Sequence, residues 1–88
     1  MRDVYGVAAF RSRQQTLRFE AVLRRMGVPA QVVSTPRDIA MGCGLSVRFP
    51  MEYVPQVRGA LAATNPGNLI GLYRAEYDGR RLRVSGIQ

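Results

Sequence analysis

Residues 30–49 read AQVVSTPRDIAMGCGLSVRF. Two short extended runs, 30–34 and 45–49, flank a connector rich in turn signals. In the second run Leu45, Val47 and Phe49 fall on one face, and Ser46 and Arg48 on the other, because side chains alternate along a strand. The connector STPRDIAMGCG is too long for a tight hairpin turn. It carries helix signals of its own. Thr35 suits the N-cap, Pro36 the first helical position and Asp38 the third. Ile39 and Ala40 follow, and Gly42 suits a left-handed stop. These signals predict a short helix ending just before Cys43.

Upstream, residues 4–10 (VYGVAAF) are apolar on both faces, as a central, covered strand should be. Ser12 then opens a helix, with Gln15 placed to complete a capping box. Phe19, Val22, Leu23 and Met26 follow at helical spacing, and Gly27 and Pro29 end the run. Downstream, residues 52–64 predict a second helix. Pro55 sits in its first turn, where a missing amide costs least. Tyr53, Val54, Val57, Ala60, Leu61 and Thr64 form its buried stripe. Residues 69–77 read as a fourth strand. Asp78-Gly79 predicts a two-residue hairpin turn returning as a short fifth strand over 80–84, with Glu76 opposite Arg81.

The order strand, helix, strand, strand, helix, strand predicts an α+β fold. Its simplest closure is a ferredoxin-like βαββαβ sandwich, with an antiparallel sheet in the order 4-1-3-2 and both helices on one face. The 88 residues allow one domain, spanning residues 1–88. The formal net charge is +7, and all thirteen basic residues are arginine.

The chain has no histidine and one cysteine. Histidine-based catalytic pairs are therefore excluded. So are a tetrahedral zinc site and an iron–sulfur cluster, and no cofactor or metal is expected. A single cysteine cannot form an internal disulfide, which fits a cytoplasmic protein. No signal-peptide pattern follows Arg2 and Asp3, and no apolar run approaches the ~20 residues a membrane helix needs. The six carboxylates are scattered and suggest no acid–base pair.

Two features remain as candidate chemistry. Cys43 is the one side chain with nucleophilic chemistry near neutral pH, where thiolate is the reactive form. Gly42 and Gly44 flank it and leave its sulfur and backbone accessible. Arg37 and Arg48 are both close in sequence and are candidates to stabilise its charge. A helix ending beside Cys43 would oppose ionisation through its negative dipole end. The competing reading is a small cysteine filling space at the start of a strand. The arginines are the second feature. They read either as a solvated surface or as a patch for RNA or an acidic protein. Strand 45–49, LSVRF, lacks the Lys/Arg-Gly-aromatic pattern of a sequence-reading RNA module of this fold.

Residues 10–49 resemble the Se/S carrier protein-like family of small bacterial proteins. The resemblance rests on Ser12 opening the first helix, Glu20 and Leu23 within it, and Gly27 closing it. It rests further on Thr35-Pro36-Arg37 and on Cys43-Gly44 leading into an alternating strand. It implies a cytosolic carrier in which Cys43 holds sulfur or selenium as a persulfide or selenopersulfide. It also implies a donor enzyme, of the cysteine desulfurase type, and an acceptor protein. Such thiol exchange is carriage rather than turnover of a free substrate. The alternative is a non-enzymatic basic module for RNA or an acidic protein. The open sheet edge leaves room for pairing between copies of the chain.

Overall fold

The computed structural model describes residues 3–39 and 44–87. Its elements are β1 (Asp3–Phe10), α1 (Arg13–Arg25), β2 (Gln31–Ser34), β3 (Leu45–Phe49), α2 (Val54–Thr64), β4 (Leu69–Tyr77) and β5 (Leu82–Gly86). A 3-10 turn, Met51–Tyr53, leads into α2. Pro55 lies in the first turn of α2, as its missing amide requires.

One antiparallel sheet holds all five strands in the order β2-β3-β1-β4-β5. It differs from the four-strand order expected by gaining β5 outside β4. Ala8 of β1 stands opposite Val47 of β3 and Leu72 of β4. The face bearing Ala8, Phe10, Val47 and Phe49 carries the core. Phe19 and Leu23 of α1 and Val57 and Ala60 of α2 join the same cluster. Both helices therefore pack on that face. The Phe10 and Phe19 rings meet at 5.2 Å between centroids, in a tilted pair.

Two stripe residues are outside this core. Met26 is exposed because it is already the C-cap of α1, where the chain turns away through Gly27 at φ 84°. Thr64 is exposed in the last turn of α2, and its hydroxyl donates to the Ala60 carbonyl at 2.8 Å.

The β4–β5 connection corrects the expected two-residue turn. Tyr77 pairs with Leu82 and Glu76 with Arg83, so residues 78–81 form a longer loop and β5 starts later than expected. The Asp78 carboxylate explains the shift. It accepts from the amides of Arg80 at 3.0 Å and Arg81 at 3.2 Å, giving the backbone an alternative to the ladder. Those amide bonds hold the Asp78 carboxyl below its ordinary value of 3.8, with the Arg83 and Arg81 charges adding to the effect. A lowered folded pKa stabilises the loop above the unfolded value and loses that contribution as pH falls through the folded one. Acidification from pH 5 to below 3 should therefore lower the protection factors of the Arg80 and Arg81 amides, taken against the intrinsic exchange rate at each pH, while Val7 and Val47 stay protected. Equal protection of the loop across that range would refute this role.

Candidate cationic groove beside Gly44

The connector between β2 and β3 is gathered at a neck. The Thr35 amide donates to the Gly44 carbonyl at 2.9 Å, continuing the β2–β3 ladder beyond Ser34 and Leu45. The backbone of Gly44 also lies close to the Thr35 side chain. A Cβ on Gly44 would stand 3.2 Å from Thr35 Oγ1, tighter than ordinary contact.

Beyond the neck the structure departs from the expected helix. Residues Arg37, Asp38 and Ile39 form a turn, in which the Ile39 amide donates to the Pro36 carbonyl at 3.0 Å. Thr35 does not spend its hydroxyl on a cap. Its Oγ1 lies 2.6 Å from Ser46 Oγ in a buried pair. A tertiary partner has displaced the local capping signal. Ala40, Gly42 and Cys43, on which the rest of the expected helix and the sulfur site fall, lie outside the described residues.

The Thr35–Ser46 pair makes a testable contribution to the neck. Ser46 is fully buried and Thr35 nearly so. Removing one hydroxyl leaves the other buried without its partner, which costs about 1–3 kcal/mol. Thr35→Val and Ser46→Ala should each destabilise by about that amount in urea unfolding. The double variant should lose clearly less than their sum. Strict additivity would show that the pair carries no coupling.

α1 is fixed to the same place. Ser12 Oγ accepts from the Gln15 amide at 3.3 Å, the expected cap. Thr16, fully buried, lies with Oγ1 3.0 Å from the Leu45 carbonyl and 3.1 Å from the Ser12 carbonyl, so its one proton serves both. The N-terminus of α1, its positive dipole end, thus sits against the start of β3.

A groove of about 450 Å³ opens there, lined by Arg11, Arg13, Ser34, Thr35, Arg37, Gly44 and Leu45. Two of the residues expected at the site, Arg37 and Gly44, meet in it. Arg11 and Arg13 follow the end of β1 in the chain, far in sequence from Gly44. Pairing of β1 with β3 is what delivers them: Ala9 stands opposite Ser46, and the same register continued brings Arg11 level with Gly44.

Arg48 is elsewhere. Its guanidinium stacks 3.9 Å from the centre of the Tyr5 ring and meets Asp3 at 3.1 Å. Four residues of extended strand separate it from Gly44, about 13 Å at the usual rise. It is not among the residues that line the groove beside Gly44.

No group of three or more His, Cys, Asp or Glu among the described residues is placed to hold a metal. No helix among them is long and apolar enough to cross a membrane.

Fold and groove together define a small α+β domain with an arginine-lined site at the neck of its β2–β3 connector. The family model described as "Putative Se/S carrier protein-like" matches residues 5–71, and the chain belongs to that family. The matched stretch contains the whole groove and stops within β4, before the Asp78 loop and β5. No curated protein and no solved structure gives a match.

Proposed function

We propose that the chain carries sulfur or selenium on Cys43, as a persulfide or selenopersulfide. The observation that carries this reading is the groove that Arg11, Arg13 and Arg37 line together with Gly44, the residue after Cys43. Membership of the carrier family supports it. A thiolate and a persulfide are both anions, and nearby cations favour the charged form. The α1 N-terminus acts in the same direction.

In loading, the Cys43 thiolate attacks the outer, sulfane sulfur of a donor's hydropersulfide. A bond forms between Sγ of Cys43 and that sulfur, while the donor's own S–S bond breaks. The donor cysteine leaves as thiolate with the bonding pair, and the proton stays on the transferred sulfur or passes to solvent. Delivery is the same exchange in reverse sense, with an acceptor thiolate attacking. No oxidant or reductant is consumed, and selenium in place of sulfane sulfur follows the same balance. With no histidine in the chain, solvent or the partner handles the proton.

A donor of the cysteine desulfurase type and an acceptor protein are the partners this role requires, and the cytosol is its setting. Gly42 and Gly44, which flank Cys43 in the chain, would leave the sulfur open to them, and Arg37 would help stabilise its charge. The protein acts as a carrier rather than as an enzyme that turns over a free substrate.

Alkylation of the folded protein by iodoacetamide, followed against pH, tests the site. The rate should rise with a midpoint clearly below the ~8.5 of a free thiol. A thiol that reacts only after unfolding would contradict the proposal.

A further inference from the structure

The groove holds more positive charge and more room than a persulfide needs. A sulfane sulfur carries one negative charge, and its volume is of the order of a water's share of liquid, about 30 Å³. The groove has about 450 Å³ and is lined by three arginines.

Among the described residues, those three arginines form no ion pair. All six side-chain carboxylates of the chain fall in the described residues. Asp3 pairs with Arg48, Glu20 with Arg24, Glu76 with Arg74 and Asp78 with Arg83. Asp38 adjoins Arg37 in sequence but lines a separate cleft with Arg81 and Arg83. Glu52 precedes α2, on another element. Among the described residues, no carboxylate forms an ion pair with Arg11, Arg13 or Arg37.

The cations are also placed against local stability. Arg13 is the first residue of α1, and the first turn holds no acidic residue. A cation there opposes the helix dipole, and the arrangement is relieved when an anion binds.

We infer that the groove is a binding site for a phosphate-class oxyanion, held by Arg11, Arg13 and Arg37 at the N-terminus of α1. The guanidinium fork matches two oxygens of a phosphate, and three forks can serve a dianion or a phosphate ester. Gly44, which lines the groove, follows Cys43 directly in the chain, so the site adjoins the carrier residue in sequence. The inference goes beyond carriage and does not depend on Cys43 being reactive.

Inorganic phosphate is the probe, titrated into the 88-residue Cys43→Ser protein at constant ionic strength set by chloride. This variant removes sulfur chemistry, so failure here and failure of carriage are distinguishable. Amide shifts should saturate and cluster at residues 11–16, 35–37 and 44–45, and phosphate should raise the melting temperature where equal ionic strength of chloride does not. Arg11→Gln, Arg13→Gln and Arg37→Gln should each weaken binding about tenfold, because each removes a charge-assisted contact. Arg24→Gln and Arg74→Gln, outside the groove, should leave it within about twofold. These variants are at exposed positions, and amide dispersion reports whether each is folded.

A short single-stranded RNA forms a second arm. Competition between RNA and phosphate at the same amides would extend the site to phosphate esters and support the inference. Shifts that rise linearly without saturating, or that spread over the whole basic surface, would overturn it. So would groove variants that bind no differently from the two controls.

Discussion

Replacing Arg11, Arg13 and Arg37 together by glutamine should raise the alkylation midpoint of Cys43 by about two units. Each of these cations lines the groove beside Gly44, and opposite charges close to an ionising group shift it by one to three units. At pH 6 the thiolate fraction should then fall roughly a hundredfold. A more basic thiolate is also a better nucleophile, by about half a logarithmic unit per unit of pKa. The net loss in rate at pH 6 is therefore about tenfold. Above pH 10 the order reverses, and the variant should alkylate faster than the parent. That crossing of the two profiles distinguishes a lost charge effect from a merely altered loop, which would change the rate by one factor at every pH. Profiles that superimpose would remove the arginines from the sulfur chemistry.

The second large effect lies in the sheet that positions the groove. Gly6 of β1 stands opposite Phe49 of β3, and a Cβ on Gly6 would overlap the Phe49 ring. That ring is almost fully buried and belongs to the core. The ring must shift among its core neighbours to make room, and overpacking costs about 1–3 kcal/mol. The gain from removing a glycine inside a strand is smaller, roughly 0.5–1 kcal/mol. Gly6→Ala should therefore destabilise by about 2 kcal/mol, and Gly6→Val by more. For a domain of this size, whose total stability is on the order of 4–13 kcal/mol, Gly6→Val threatens folding itself. Gly6→Ala combined with Phe49→Leu should recover part of the loss. Urea midpoints of the three variants check the claim. A Gly6→Ala protein as stable as the parent would show that the ring moves aside freely.

Much of this architecture can be read from local sequence. The alternation of Leu45, Val47 and Phe49, the apolar run of β1 and the Ser12 cap each depend on residues within a few positions of one another. Those readings hold because nothing distant competes with them. Where a side chain has a choice of partner, the local signal misleads. Thr35 and Asp38 fit helix positions, yet Ser46 takes the Thr35 hydroxyl across the strand. Asp78-Gly79 fits a two-residue turn, yet the Asp78 carboxylate captures two later amides and moves the register.

The groove shows the same limit at larger scale. Arg37 is legible because it adjoins the Thr35-Pro36 neck in sequence. Arg11 and Arg13 reach Gly44 only through the pairing of β1 with β3 and the docking of α1 by Thr16. No periodicity of their own announces this. Arg48 takes partners on β1, the Tyr5 ring and the Asp3 carboxylate, which nothing near it in sequence announces.

The central claim is that Cys43 carries the atom. Incubation with a cysteine desulfurase and cysteine, followed by intact mass with and without reductant, measures it most directly. The account predicts a gain of one sulfur mass that reductant removes and that Cys43→Ala abolishes. A folded protein that gains no sulfur from several such donors, or a gain that survives in Cys43→Ala, would contradict it.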